Sequence, residues 1–306
     1  MLISIIIPTK ERETIFFLTL ESICSAAKNI DAEIIVVNDS KNTSLKIPLS
    51  YHKVRLFDNP KSGVASARNL GASAAQAETL LFIDDDILVD EENLITAIKL
   101  IDKYPCSTIN LNWTYPEYLQ EKIKITSFGR YLIKKGFTSL KGWNNAANWN
   151  DESIFESNGI TSQFLVIRKN DFLKINGYNE NFPFAGFEDY DFSKRLKKSG
   201  VKTYIYPLSM VFHNEEDRIK PRPWLQRNMR GGVSRRKAVE QGYPDLNIIQ
   251  SRLKYLAYLI MVKCKPILFF LESIIPNHSV FDIIYFRLIN LLLGTSIFEG
   301  YNKKKY

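Results

Sequence analysis

Residues 81–90 read LFIDDDILVD, an apolar run that stops at three adjacent carboxylates, Asp84, Asp85 and Asp86. A strand end gains nothing from three like charges side by side, because each one makes its neighbours harder to ionise. A hard divalent cation such as Mg2+ or Mn2+ removes the conflict, since it takes carboxylate oxygens together with substrate phosphates. On extended backbone alternate side chains share a face, so Asp84 and Asp86 would look into one site and Asp85 away from it. The competing reading has Asp86 or Asp90 capping the following helix. It accounts for one aspartate and leaves the other charges unexplained.

Upstream of this stretch, residues 2–7 (LISIII) and 33–37 (EIIVV) are short apolar runs of the kind found in strands buried on both faces. Residues 13–28 have helical spacing and 53–57 read as a third strand. Residues 64–77 are alanine-rich and helical, 79–83 form a fourth strand, and a helix follows from about 91 to 103. This alternation predicts an α/β domain with a mainly parallel central sheet flanked by helices. Polar residues gather after the strands: Pro8-Thr9-Lys10, Asn38-Asp39-Ser40 and the aspartate triplet. Open α/β sheets bind ligands at their carboxyl ends, so three turns point to one edge. Residues 104–160, with Trp113, Trp143, Trp149 and many asparagines, read as an irregular excursion lining a site. Residues 162–168 read as a strand, 187–198 as a helix, and a short apolar segment after Pro207 ends at Phe212-His213.

A chain of 306 residues can bury one large domain plus an appendage, and its 45% hydrophobic content is that of a globular protein. Cys24, Cys106 and Cys264 are far apart and odd in number, which points to free thiols in a reducing compartment. The opening LISIIIP has no basic leader or cleavage site, and no uncharged apolar run reaches the roughly 18–20 residues of a spanning helix. A cytoplasmic location is expected, with a peripheral place on the inner face of the plasma membrane as an extension of it. The net charge of +8 calls for an anionic partner: a nucleotide, a phospholipid surface or a nucleic acid.

Five segments, SIIIPTKER, VVNDS, KSGVASARNLG, FIDDDI and GFEDYDFSKRLKKSG, stand in the order and spacing of family 2 glycosyltransferases, which this chain resembles over roughly residues 2–215. These are inverting enzymes of the GT-A fold that use sugar nucleotides. The resemblance implies a GT-A catalytic domain at 1–215, with a nucleotide-binding half at 1–103 and an acceptor-binding half at 104–215. A basic and apolar helical C-terminal region follows at 216–306. It further implies that Pro8, Thr9, Glu11 and Asp39 hold the nucleotide base and that Arg68 lies near the nucleotide. The family's Asp-x-Asp motif falls on Asp84 and Asp86, with Asp85 also in the nucleotide site. Asp86 would then hold the Mn2+ or Mg2+ that bridges the diphosphate, and Asp84 the ribose or the metal's shell.

Each assignment has a structural counterpart. A carboxylate at Asp39 suits the N–H donor of uracil or thymine, and it equally suits an Asx-turn. The family commonly has Asp-Asp-Gly-Ser where this chain has Asn38-Asp39-Ser40-Lys41, a departure that keeps the carboxylate. Arg68 serves the nucleotide or a salt bridge within the fold. Inversion by direct displacement needs one general base, which the resemblance places at Asp189, with Glu188 contacting the acceptor. The same acids also suit a helix's first turn. Asp191 and Arg195 have the spacing of a same-face structural pair. His213 is either structural or, as in some members of the family, a further metal ligand.

The stretch from Arg218 to Lys237 holds eight arginines and lysines and one tryptophan. A nucleic-acid patch has this composition, but the carboxylate cluster would repel nucleic-acid phosphates unless metal-loaded, and no nucleic-acid partner is expected. A pyrophosphate-linked lipid acceptor or an anionic membrane surface fits better. The apolar C-terminal segments are interrupted by Lys263, Lys265, Glu272, Asp282 and Arg287. They read as helices packed on the catalytic domain, as a homo-oligomer contact, or as elements lying in a membrane interface.

The expected activity is an inverting, metal-dependent sugar transfer (EC 2.4, hexosyl- or N-acetylhexosaminyl-type) in the synthesis of a cell-surface polysaccharide. A UDP- or dTDP-linked donor would supply the sugar to a hydroxyl of a glycan or lipid-linked glycan. A nucleotidyltransferase is the alternative enzyme, but it would carry a Gly-rich loop after the first strand, where PTKERET has no glycine. A non-catalytic sugar-nucleotide-binding protein is the third reading, and it would tolerate loss of Asp189.

Overall fold

A computed structural model of the chain describes residues 2–41, 43–51, 53–142, 149–248 and 251–303. Trp143 lies outside the described residues. By the packing of its Cα trace the chain divides into two units. The first comprises Met1–Pro116, Thr138–Asn181 and Glu188–Asn214, and the second Glu117–Phe137, Phe182–Phe187 and Glu215–Tyr306.

The isoleucine- and valine-rich runs become β1 (Ile3–Thr9) and β2 (Ala32–Asn38), which with β3 (Val54–Asp58) and β4 (Thr79–Ile83) lie parallel in the order β3-β2-β1-β4. Parallel neighbours need crossover connections. α1 (Glu13–Ala26) lies in the connection from β1 to β2 and α2 (Val64–Ala74) in that from β3 to β4. Every residue of β1 and β4 is buried, which is why neither shows polar alternation. Beyond β4 the first unit's sheet becomes mixed. β8 (Phe164–Arg168) runs antiparallel to β4, β6 (Ser107–Thr114) antiparallel to β8, and β9 (Lys202–His213) parallel to β6. Two short strands, β5 (Ile87–Leu88) and β7 (Phe155–Glu156), pair antiparallel with β9, making nine strands among the described residues. The helices α3 (Glu91–Lys103), α6 (Lys169–Lys174) and α7 (Phe187–Lys198) complete this unit's layers. One face of the sheet is closed by Ile6, Ile35, Phe82 and Leu165 against Ala67, Phe172, Phe192 and Leu196.

Asp90 caps α3: its side chain accepts from Asn93 N at 2.8 Å, and Asn93 Oδ1 accepts from Asp90 N at 3.0 Å. The capping task therefore belongs to Asp90 and not to Asp86.

Two departures from the sequence reading have physical reasons. Residues 104–160 are not irregular throughout, because β6 runs through the middle of the sheet with Thr108, Asn110 and Asn112 buried. Asn110 Nδ2 donates to Thr161 O at 2.8 Å and Phe164 O at 2.6 Å, and Asn112 Oδ1 accepts from Leu140 N at 3.1 Å. These asparagines are buried because distant backbone satisfies them, which local pattern cannot reveal. β9 is longer than expected and passes through Pro207. The ladder shifts there from Leu111↔Tyr206 to Asn112↔Met210, so the proline sits in a bulge and no ladder bond requires its missing N–H.

The second unit is helical, built from α4 (Glu117–Ile125), α5 (Ser127–Lys135), α8 (Pro221–Glu240), α9 (Arg252–Lys263), α10 (Lys265–Ile274) and α11 (Asp282–Asn302). The basic run is α8, started by Pro221, whose absent N–H costs nothing in the first turn. Trp224 of α8 packs edge-on against Phe128 and Tyr131 of α5, at ring distances of 5.5 and 6.0 Å. Arg130 clamps Asp282 at the start of α11 with two bonds of 2.8 and 2.7 Å. The backbones of α8 and α11 approach closely at Gly232 and Gly300. A Cβ at Gly300 would run into the carbonyl oxygen of Met229, and one at Gly232 would stand 2.5 Å from Ile297 O.

Residues Ser279–Asn302 form a stretch long and apolar enough, by length and composition, to cross a membrane. Within it Tyr285, Ile289, Leu292 and Phe298 are buried in the protein. Gly300→Ala should cost about 1–3 kcal/mol of stability through overpacking against rigid backbone. Gly231→Ala, where a Cβ meets nothing within 4 Å, should be neutral or stabilise by about 0.5–1 kcal/mol. Urea unfolding of the two variants checks the contrast.

Candidate active site

The carboxyl ends of β1, β2 and β4 converge in the first unit because the strands are parallel and in register, with Ile6 opposite Phe82 and Thr9 opposite Asn38. The ladder continues one residue further, where Asp39 N donates to Thr9 O at 2.8 Å. Asn38 makes the Asx-turn, its Oδ1 accepting from Ser40 N at 3.1 Å, so Asp39 is not used for it. The Asp39 carboxylate instead accepts from Asn59 Nδ2 at 2.6 Å and from Gly63 N at 2.9 and 3.1 Å, with Lys10 Nζ at 3.5 Å. Gly63 has φ +119°, a conformation open to glycine, and it turns its N–H to Asp39 as α2 begins. Pro8 is buried in β1 opposite Val37. The Thr9 hydroxyl donates to Asp85 Oδ2 at 2.7 Å. Glu11 is exposed, has φ +52°, and accepts from Ser40 Oγ at 3.1 Å.

At the aspartate triplet the chain turns, with Ile87 N donating to Asp84 O at 3.2 Å, so the two-residue alternation of a strand does not apply. Two arginines divide the three carboxylates. Arg68 of α2 meets Asp84 Oδ1 at 2.8 Å, while Arg12 meets Asp85 Oδ1 at 3.0 Å and Asp86 Oδ2 at 2.7 Å. Burial pushes the Asp85 carboxyl up to about 7, opposed by Arg12 and the Thr9 hydroxyl and assisted by the charges of Asp86 and Asp84.

His213 reaches this cluster through the sheet. Ile87 pairs with His213 in the β5–β9 ladder, and Asn214 N donates to Asp86 O at 2.7 Å. His213 Nδ1 therefore lies 3.7 Å from Asp86 Oδ1, with both residues almost fully buried. The Trp113 ring stands edge-on to the imidazole at 5.2 Å and Tyr115 stacks at 6.2 Å. A carboxylate oxygen and an imidazole nitrogen this close form a donor set that suits a divalent cation such as Mn2+ or Mg2+. Glu215, two residues on, belongs to the second unit, where it accepts from Arg218 at 2.8 Å and Arg227 at 2.7 Å.

The second cluster lies at the start of α7. Arg68, 3% exposed, extends its other nitrogen to Glu188 Oε1 at 3.1 Å, so one guanidinium joins α2, the aspartate turn and α7. It also lies over the Tyr178 ring at 5.3 Å. Asp189 accepts from Ser162 N at 3.1 Å and from Ser162 Oγ, and Ser162 Oγ is bonded to Tyr178 OH at 2.6 Å. Burial lifts the Asp189 carboxyl above the ordinary carboxylate range against the pull of Arg68 and of Ser162, and the Asp84 charge adds to the rise. Asp191 is engaged with Arg195 at 2.6 Å as the i,i+4 pair its spacing predicts.

The site residues named from sequence thus fall into three places. Asp39 sits with the α2 start, Asp84–Asp86 with Arg68, Thr9 and His213, and Glu188 and Asp189 with Arg68 and Ser162. Sequence reasoning missed Arg12, Ser162 and Tyr178. Arg12 had a usable signal, as a cation four residues after Pro8 at the strand end. Ser162 and Tyr178 had none.

A mixed sheet with flanking helices and acidic side chains at the strands' carboxyl ends is the architecture of GT-A glycosyltransferases. The model described as "Glycosyl transferase family 2" matches residues 4–155, and one described as "N-terminal domain of galactosyltransferase" matches 152–216. The chain belongs to glycosyl transferase family 2. It is 28% identical over 198 residues to an uncharacterized glycosyltransferase of Haemophilus influenzae, covering 64% of this chain and 62% of that protein. It is 24% identical over 194 residues to the rhamnosyltransferase WbbL of Escherichia coli, covering 58% of this chain and 72% of that one. Among solved structures it shares its fold with a mannosyltransferase of Pyrobaculum calidifontis in complex with GDP-Man and Mn2+, at TM-score 0.59 and 13% identity over 99% of this chain and 88% of that one.

Removing Arg68 would take from the buried Glu188 and the neighbouring Asp84 the cation they share. Arg68→Met should therefore cost about 3–5 kcal/mol in chemical denaturation. Arg68→Lys should recover only part of this, because a point charge cannot reach both carboxylates as a guanidinium fork does.

Proposed function

We propose that this chain is an inverting glycosyltransferase that moves a sugar from a UDP- or dTDP-linked donor to a hydroxyl of a glycan or lipid-linked glycan. The observation that carries the reading is the setting of Asp189, a carboxylate with raised proton affinity, held at both oxygens by Ser162 at the strand-end edge of the sheet. Residues 1–215 form the catalytic domain, with donor contacts in 1–103 and acceptor contacts in 104–215.

Asp39 receives the base N–H, in support of which its carboxylate is fixed by Gly63 and Asn59 and is not consumed by the turn. Pro8, Thr9 and Glu11 line the same end of β1. The acceptor hydroxyl attacks the anomeric carbon from the face opposite the diphosphate, its oxygen forming the new glycosidic bond as the bond to the leaving phosphate breaks. Asp189 takes the hydroxyl proton, a role helped by a proton affinity above that of an ordinary aspartate. Glu188, oriented by Arg68, contacts the acceptor. Mn2+ or Mg2+ held by Asp86, Asp84 and His213 would supply positive charge to the departing diphosphate. Arg12 limits the repulsion between Asp85 and Asp86 and so keeps that turn intact. The free thiols of Cys24, Cys106 and Cys264 support work in the reducing cytoplasm.

Assay with a panel of UDP- and dTDP-sugars and Mn2+ tests this reading. Asp189→Asn should lose about 10²–10⁴-fold in turnover with donor binding kept; full retained transfer removes Asp189 as the base. Asp86→Ala should abolish metal-dependent donor binding in calorimetry. Turnover requires ionised Asp189, so the rate should fall on the acid side at a pH above the ordinary aspartate range. Ser162→Ala, which removes a bond favouring the ionised form, should shift that acid limb to higher pH.

A further inference from the structure

The helices α9 and α10 present apolar side chains outward. On α9, Leu253, Leu256 and Ile260 share one stripe and are 82%, 55% and 63% exposed. On α10, Ile267, Phe270, Leu271 and Ile274 follow the i, i+3, i+4, i+7 rule of a single face, and Phe270 is 62% exposed. Neither helix has a buried residue. The turn after them and the start of α11 continue the pattern with Val280, Ile283 and Ile284, at 73%, 65% and 59%. A helix facing water carries its polar residues outward; here three consecutive segments do the opposite. Single exposed apolar residues need no explanation, but exposed apolar faces on consecutive segments mark an interaction surface.

The charges around the patch select its occupant. From 251 to 281 the chain has four cations, Arg252, Lys254, Lys263 and Lys265, and one acid, Glu272. Glu272 accepts from Tyr285 OH at 2.8 Å. Lys265 pairs with Glu299 at 2.7 Å, while Arg252, Lys254 and Lys263 are exposed at the two ends of α9. An apolar stripe bracketed by cations is the composition of a helix lying in the headgroup region of an anionic bilayer, its long basic side chains reaching toward lipid phosphates. At 12 and 10 residues, α9 and α10 fall well short of the roughly 20 needed to span. α11 is long enough, but it is fixed against α8 through Gly232 and Gly300 and buries Tyr285, Ile289 and Leu292 in its own unit.

We propose that α9, α10 and the turn before α11 form a docking surface for an anionic membrane, lying in the plane of the interface. Docking of this kind is independent of whether the strand-end site transfers sugar, and it is read without turnover. The full chain should float with vesicles of phosphatidylglycerol and phosphatidylcholine at low salt, and far less with phosphatidylcholine alone. The triple variant Leu256→Glu, Ile260→Glu, Phe270→Glu, all at exposed positions, should keep its thermal unfolding profile and bind anionic vesicles at least about tenfold more weakly. Arg252→Gln with Lys254→Gln and Lys263→Gln should reduce both the binding and its salt dependence. Three results would overturn the proposal. The first is equal or absent flotation with both vesicle types. The second is a stable dimer in light scattering that the glutamate variant dissociates, which assigns the face to a second copy. The third is resistance to alkaline extraction, which assigns a spanning helix.

Discussion

The guanidinium of Arg68, almost fully buried, meets Asp84 on one side and Glu188 on the other, and the organisation of the first unit's edge depends on that contact. Asp84 ends a strand in the parallel half of the sheet and Glu188 begins a helix more than a hundred residues later. A buried arginine is costly unless its donors are used, and buried carboxylates are costly unless they are compensated. The two requirements are met together only when α2, the aspartate turn and α7 come to the same place. The pair is thus a structural lock, and Asp189, next to Glu188, is held at the same edge by Ser162.

The acidic turn follows the same logic. Arg12 engages Asp85 and Asp86, Thr9 bonds Asp85, and the β5–β9 ladder brings His213 to Asp86. A backbone register, not a side-chain preference, sets the Asp86–His213 distance, so the oxygen–nitrogen donor pair is as rigid as the sheet that carries it. Asp39 is positioned by a comparable device, with the first N–H of the α2 entry and an asparagine fixing both of its oxygens' directions. In each case polar atoms at strand ends are oriented by groups distant in sequence.

The second unit solves a different problem. Its α8 and α11 approach at two glycines, and its aromatic cluster around Trp224 holds α5 to α8. α9 and α10 take no part in a buried core of their own. Their apolar residues, by amount alone, would suit a core, yet Leu253, Leu256, Ile260 and Phe270 are exposed.

Local pattern determined much of this protein. Apolar runs placed β1, β2 and β4, with β4 at 79–83 and helices at 91–103 and 187–198 as found, because strand and helix periods are properties of neighbouring residues. The carboxylates Asp39, Asp84–Asp86, Glu188 and Asp189 were legible for the same reason: they follow strands or open a helix. Only the tertiary structure decided that β6 is a central strand, that Arg12 and Ser162 belong to the site, and that residues 117–137 associate with the C-terminal helices. Of the buried asparagines of β6, Asn110 finds partners 51 and 54 residues away and Asn112 one 28 residues away, and Ser162 meets Asp189 across 27 residues. Hydrogen bonds of that kind leave no periodic trace in a sequence, since their geometry exists only once the chain has closed on itself.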